Sequence, residues 1–598
     1  MSDPTNSIGD AIRNAAEAPK KEKKKKEKKS PPANAPIDDE MPYDISFPDD
    51  CPVEPLGVNG DSVFFLDQMR QLRVIPADKL NKGSIQALFG ALQDLKYTYW
   101  PRLTWNEFKK CMIVTGWRPE QAADCLLVEA NRRGIWDVFE RVRGPGCWKD
   151  SDGKLIMHCG NIVYHGKDAL TPAAIGRHVY PAHTPRPTPG TGLDGLAAAE
   201  ELLAMFKTWN WRRPDLDPYL LLGWICAAML GGALKWRPLL WITGDKATGK
   251  STLHDVMKGV FGEGGLISTT DATAAGLWQT VGHASLPVAL DELEAEADNR
   301  KQMNIIKLAR QACSGGQTLR GSSDHKNASF TVRSCFLFSS ILIPPLPAQD
   351  ISRMAILQLD KLTGGKQPNI DAKTLERIGD ALRERLIERW RKFPSVLHSW
   401  QTLLAERGHD GRSADQFGTL MACYELLISD APFEPETHEV FGQLLDKQGL
   451  SETEDSAPDH ERCMQHLLTS QLDLYRGGER RTIGSWVMQA AGRDAKNKHE
   501  QDMDDANRAL GNIGLMVRHK HGVMHLMVAN DHQGLAAVFK DTHWTGSSGT
   551  NGVWMQAMRR AKNAKADEQR FNGLKKRCTA IPLDVIFDTD YGASEAAS

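Results

Sequence analysis

Apolar residues recur along the chain in three patterns. Compact apolar runs at Leu239–Ile242 (LLWI), Leu286–Leu290 (LPVAL), Arg333–Leu342 (RSCFLFSSIL) and the end of Pro344–Leu359 (PPLPAQDISRMAILQL) predict strands. Helical periodicity predicts helices at Ser84–Leu95, Pro119–Arg132, Gly195–Trp209, Leu375–Arg391, Phe393–Asp430, Ile483–Ala491 and Asp504–Leu510. Paired short runs around turn residues predict hairpins at Val63–Val74, Lys154–His165, Gln317–Val332 (turning at Ser323-Asp324-His325-Lys326-Asn327) and Gly514–Ala529 (turning near His521-Gly522). One stretch, Tyr219–Leu234, is uncharged for sixteen residues. It falls short of the ~20 residues a bilayer requires. Lys235 and Arg237 follow at once, so a buried helix packed on the neighbouring sheet is expected and no membrane association.

Breaks in these patterns divide the chain. Residues 1–45 carry a lysine run from Lys20 to Lys29, then prolines, and almost nothing to bury; they predict a disordered arm. Such an arm either holds nucleic acid electrostatically or simply solubilises the chain, and the sequence leaves both open. An α+β accessory domain occupies 46–185 and ends in the proline-rich Pro181–Thr191. A helical lead-in follows at 186–235, a nucleotide-binding core at 236–365, and a helical region with an acidic connector at 366–475. At 476–598, two helices and a basic-tipped hairpin suggest a winged-helix-like domain with a tail.

Composition narrows the partners. Among 598 residues, 74 Lys and Arg nearly balance 76 Asp and Glu, so any nucleic-acid surface must be local. Eleven cysteines contain no CxxC pair, which disfavours a zinc module or disulfide scaffold and suits a reducing cytosol. No apolar core with a cleavage site marks the amino terminus as a secretory signal. Asp150 and Asp152, near His158, Cys159 and His165, are read as turn and strand residues rather than as a metal or primase centre.

The most specific chemistry follows the strand Leu239–Ile242. Gly244-Asp245-Lys246-Ala247-Thr248-Gly249-Lys250-Ser251 fits GxxxxGK[ST], and a helix-compatible run starts at Thr252. Glycines allow successive N–H groups to turn inward, and the positive end of the helix adds to their attraction for phosphate. Lys250 is placed to reach the β- and γ-phosphates of ATP, and Ser251 to ligate Mg²⁺. The strand Leu286–Leu290 delivers Asp291, suited to holding the Mg²⁺ shell, and Glu292, suited to polarising the attacking water.

The order of phosphate loop, Asp-Glu strand, hairpin with a His-Lys tip and polar strand end at Ser339-Ser340 resembles the superfamily 3 helicases, AAA+ ring ATPases of viruses, phages and plasmids. The likeness covers about residues 195–400, nearest the helicase half of phage and plasmid primase-helicases. It implies a parallel-sheet AAA+ core with a helical lid, ATP and Mg²⁺ as ligands, and assembly into a ring, most plausibly a hexamer. It further implies single-stranded or forked DNA gripped by His325 and Lys326, replication partners, and the cytoplasm of a bacterial cell, the gene being carried by a phage or mobile element. Ser340, with Ser339, is the candidate sensor of the γ-phosphate, where the family commonly has Asn. Arg353 is the candidate arginine finger, ahead of Arg333 and Arg320.

Near the carboxyl terminus, Arg518, His519 and Lys520 lie on or near the wing, and Val553–Lys565 carries Arg559 and Arg560. Lys575-Lys576-Arg577 precedes an apolar strand at Ile581–Phe587, and together these residues predict a DNA-binding surface. The leading expectation is an ATP-dependent DNA helicase or translocase. A protein-remodelling AAA+ ATPase, a nucleotide-switched initiator and a primase-helicase remain open.

Overall fold

The structure is a computed structural model describing residues 44–294, 299–316, 318–321, 327–344, 346, 348–362, 371–446, 450, 458–472, 481–493, 499–520, 522–546 and 551–587. The Lys-rich arm expected up to residue 45 falls almost wholly outside these residues, as do His325 and Lys326.

In the amino-terminal segment, β1 (Glu54–Asn59), β2 (Ser62–Leu66) and β3 (Leu72–Pro76) form an antiparallel sheet. Helix α1 (Lys82–Phe89) starts where the Asn81 side chain accepts the N–H groups of Gly83 and Ser84. Ser84 returns the bond to the Asn81 N–H, completing a capping box. Strands β4 (Pro101–Asn106) and β5 (Cys111–Trp117) make a separate hairpin that the periodicity does not reveal. Helix α2 (Pro119–Arg133) then closes a small core of Val63, Phe65, Ile85, Phe89 and Leu126. A short helix α3 (Val138–Arg141) precedes the meander β6 (Gly146–Lys149), β7 (Leu155–His158), β8 (Val163–His165) and β9 (Asp168–Leu170), and the small pair β10 (Ala174–Ile175) and β11 (His178–Val179).

Helix α4 (Gly195–Phe206), capped by Asp194, leads to α5 (Asp217–Leu230), which is buried on every side. Among the described residues no helix is long and apolar enough to cross a membrane. The central sheet follows: β12 (Leu239–Gly244), α6 (Lys250–Phe261), β13 (Ile267–Thr269), α7 (Ala274–Val281), β14 (Val288–Leu290) and α8 (Arg300–Ser314). The hairpin β15 (Thr318–Gly321) and β16 (Asn327–Phe330) interrupts it before β17 (Phe336–Ser340) and β18 (Met354–Leu359).

Five parallel strands stand in the order β13-β14-β17-β12-β18. Both faces are covered, which is why these strands read as unbroken apolar runs. Leu240, Ile242, Leu337 and Leu357 join α4, α5 and α6 and the later helices α9 (Ala372–Arg389), α10 (Phe393–Glu406) and α11 (Gly411–Ile428) in one core. Their neighbours Leu239, Trp241, Phe336 and Phe338 pack with α7 and α8 on the opposite face. Cys147, Leu155, Met157 and Cys159 of the β6–β9 meander belong to the first of these cores, so the meander packs with the central parallel sheet rather than with β1–β3.

After α12 (Pro435–Leu444), the carboxyl-terminal segment builds a separate core from α13 (Asp459–Thr469), α14 (Ile483–Ala490), α15 (Glu500–Gly511) and an antiparallel four-stranded sheet. The minor pair β19 (Gln471–Leu472) and β20 (Arg481–Thr482) precedes α14. Strands β21 (Leu515–Lys520) and β22 (Val523–Ala529) match the expected hairpin. They are joined by a second hairpin, β23 (Lys565–Phe571) and β24 (Leu574–Pro582), turning at Asn572-Gly573, with φ of 42° and 92°. One expectation is corrected: the apolar strand is Leu574–Pro582 rather than Ile581–Phe587, because Leu583–Ile586 is helical, and the short helix α16 (Val553–Met558) ends before Arg559.

Candidate nucleotide site

The phosphate loop occupies the carboxyl edge of the sheet, the side on which ligands of open α/β sheets bind. β12 ends at Gly244, where an added Cβ would lie 2.5 Å from the Leu359 carbonyl oxygen. Gly249, with φ of 85°, caps α6 in the left-handed region, and its own Cβ would meet Trp209 Nε1 at 2.7 Å. Trp209 Nε1 donates to the Gly249 carbonyl over 3.1 Å, a clamp from forty residues upstream that the motif does not reveal. Thr248 Oγ1 donates to the Asp245 carbonyl over 3.0 Å. The Lys250 ammonium is folded onto the loop, donating to the carbonyls of Gly244 and, over 3.1 Å, Asp245. Asp245, Lys246, Ala247 and Ser251 are exposed, while Thr252 is half-buried.

Asp291 follows β14 on the same edge, two strands from β12, roughly 10 Å at the usual interstrand spacing. Its Oδ1 accepts the Glu292 N–H over 3.0 Å and the Ser339 hydroxyl. Ser339 belongs to β17, the strand inserted between β12 and β14. His254, buried on α6, places Nε2 2.8 Å from Ser339 Oγ and 3.8 Å from Asp291 Oδ1. Burial pushes the His254 pKa down against the opposing pull of Asp291. A neutral ring fits the geometry: Nε2–H donates to Ser339, whose proton goes to Asp291, while Nδ1 is buried without a partner among the described residues. Glu292 is exposed with φ of 59°, and its carboxylate makes no hydrogen bond or ion pair among the described residues. Glu294 instead ties the acidic segment to β17, its carboxylate accepting the N–H groups of Ile341 at 2.6 Å and Leu342 at 3.3 Å.

Ser339 and Ser340 face opposite ways. Ser340 is buried and accepts the Trp241 indole N–H over 2.9 Å, so the structure brings Ser339, not Ser340, to Asp291. Arg353 lies just before β18, at the amino edge of the sheet, because Met354 pairs with Leu239 and Leu359 with Gly244. There it donates to the Arg310 carbonyl over 3.3 Å and stands 5.8 Å from the Trp236 ring, away from its own phosphate loop.

Of the residues expected to meet DNA, Arg518, Arg559 and Arg560 are exposed. Lys520 is ion-paired with Asp567 of β23 at 2.6 Å. His165 sits 2.7 Å from Asp150, whose other oxygen accepts the Asp152 and Lys154 N–H groups, as turn chemistry predicts. Among the described residues no group of three or more His, Cys, Asp or Glu is arranged to hold a metal ion.

No family model and no curated protein matches the chain. Among solved structures, it is similar to one titled "SCCmec type IV Cch - active helicase", at 11% identity and a TM-score of 0.44, over 87% of this chain and 90% of that one. It is also similar to the apo structure of the NrS-1 C-terminal region, at 11% identity and a TM-score of 0.31, over 88% of this chain and 96% of that one.

Proposed function

We propose that the chain is an ATP-dependent DNA helicase or translocase, working as a ring for the replication of a phage or other mobile element. One observation carries the reading: the loop Gly244–Ser251 and the pair Asp291-Glu292 share one sheet edge, with Ser339 on the intervening strand bonded to Asp291. Phosphate transfer needs this set of a backbone cradle, a lysine, a metal-holding acid and a second acid for water.

In this reading the loop N–H groups bind the triphosphate and Lys250 leaves its loop carbonyls for the β- and γ-phosphates. Ser251 and Asp291 would hold Mg²⁺, which would supply charge neutralisation at the phosphates. Glu292, whose carboxylate is unengaged among the described residues, accepts the proton of the attacking water. Arg353, at the far sheet edge, acts on ATP only across a subunit boundary, so the proposal includes assembly, with a hexamer as the expected ring. DNA contact is assigned to the turn of the β15–β16 hairpin, through His325 and Lys326, and to Arg518, Arg559 and Arg560.

The test is steady-state ATP hydrolysis with and without single-stranded DNA. Lys250→Ala is expected to abolish turnover, and Lys326→Ala to keep basal turnover but lose stimulation by DNA. Turnover that needs Lys250 yet ignores both DNA and Lys326 would discard the helicase reading and leave a protein-remodelling ATPase.

A further inference from the structure

At the seam between the amino-terminal segment and the nucleotide core lies a pocket of about 250 Å³ that the nucleotide site does not use. The seam is tight: Gly144 N–H donates to the His283 carbonyl and Ser285 N–H to the Pro145 carbonyl, both at 2.9 Å. Three arginines from separate segments converge on the pocket: Arg143 after α3, Arg177 before β11, and Arg333 between β16 and β17.

Among the described residues their charges are only partly balanced. None of the three forms an ion pair among the described residues. Two carboxylates stand in the wall, Asp137, which accepts the Phe139 N–H at 2.8 Å and caps α3, and Glu140, exposed at the rim, so three positive charges face two negative ones. Arg143 donates to the Val142 carbonyl over 3.1 Å and lies 3.1 Å from His178 Nε2. The guanidiniums of Arg143 and Arg333 also stand 4.9 and 5.9 Å from the Trp148 ring. Burial, then the neighbouring Arg333, pushes the Arg143 pKa down to about 10, and His178 is driven down to about 4 by burial and the surrounding arginines. The half-buried pocket thus carries an excess of positive charge, which a bound anion would offset.

We propose that this pocket seats phosphate oxygens of a single-stranded nucleic-acid backbone, gripped by Arg143, Arg177 and Arg333. The inference rests on the DNA-motor reading. Guanidinium forks match phosphate geometry. Trp148 is buried and covered by two of the arginines, so the pocket offers oxygen-binding donors rather than a stacking surface for a base. Thr331 and Arg333, which line it, directly follow β16 at the base of the hairpin whose turn is assigned to DNA.

Fluorescence anisotropy of the full chain with a labelled dT20 oligonucleotide, across a salt series, tests the proposal. Arg177 is exposed, so Arg177→Gln should fold normally, keep DNA-independent ATP turnover, and bind dT20 on the order of five-fold more weakly at low salt. Each lost contact should lower the slope of log affinity against log salt by about 0.7, and Arg143→Gln/Arg177→Gln/Arg333→Gln by about 2. Wild-type affinity and slope in Arg177→Gln and in the triple variant would overturn the inference while leaving DNA-stimulated turnover, and hence the motor reading, intact. No binding of dT20 by the wild type would sink both. A parallel arm measures thermal stabilisation by inorganic pyrophosphate in a Lys250→Ala background. Stabilisation that depends on Arg177, without any change in dT20 binding, would give the pocket to a nucleotide's phosphates and overturn the nucleic-acid assignment.

Discussion

His254 Nε2 lies 2.8 Å from Ser339 Oγ, joining the helix that begins at Lys250 to the strand that holds Asp291. Through this contact the phosphate loop and the acidic pair keep a common frame, although 41 residues separate Lys250 from Asp291. His254 and Ser339 are thus positioning residues. Ser339→Ala should lower kcat for ATP by about 10- to 100-fold with KM little changed, because Asp291 is left to rotate. Ser340→Ala, which removes only an acceptor for Trp241, should lower thermal stability instead. Steady-state kinetics beside thermal melts separates the two, and equal kinetic losses would dissolve the distinction.

The two glutamates after Asp291 make different predictions. Glu292→Gln should retain ATP binding while turnover drops by roughly 10²- to 10⁴-fold, as loss of a general base does. Glu294→Gln weakens the carboxylate bonds to Ile341 and Leu342 and should reduce stability more than chemistry. Equilibrium binding of a labelled ATP analogue and single-turnover hydrolysis decide between them.

Acid should destabilise the fold within a defined window. His158 accepts the Gly160 N–H at Nδ1 over 3.1 Å and donates from Nε2 to the Pro181 carbonyl over 2.8 Å, which fixes a neutral ring. Burial drives its pKa down to about 4. The unfolded chain takes up this proton near 6.5 and the folded chain only near 4, so stability is full above about pH 6.5 and drains away as pH falls toward 4. His178, also lowered to about 4, shares the window. His158→Gln should melt lower at pH 7 but lose about one proton's worth of the slope below pH 6.5 in melts across pH 4–8.

Gly223 of α5 faces the Leu420 carbonyl of α11, and a Cβ there would sit 2.1 Å from that oxygen. Gly223→Ala should therefore destabilise the fold by about 1–3 kcal/mol, despite alanine's higher helix propensity. Chemical denaturation measures it; a neutral or stabilising result would mean the two helices separate freely.

The sequence by itself determined the parts whose requirements are local. A tight phosphate-binding turn demands glycine at fixed spacing, and both Gly244 and Gly249 occupy positions where a Cβ has no room. Apolar runs determined β12, β14, β17 and β18, because strands covered on both faces are apolar along most of their length and carry polar residues only near their carboxyl ends. Asn572-Gly573 belongs to the same class: a hairpin turn written locally, yet obscured by the basic residues that follow it.

Tertiary structure alone decided which neighbours those elements met. Strand order put Ser339 between the loop and Asp291, and the two-residue alternation turned Ser340 into the sheet toward Trp241. Trp209 reached Gly249, and Arg143, Arg177 and Arg333 gathered at one seam, from separations at which no periodicity carries information. Likewise the β6–β9 meander joined the core of the central parallel sheet, because burial depends on which apolar faces meet in space and not on where a linker divides the chain.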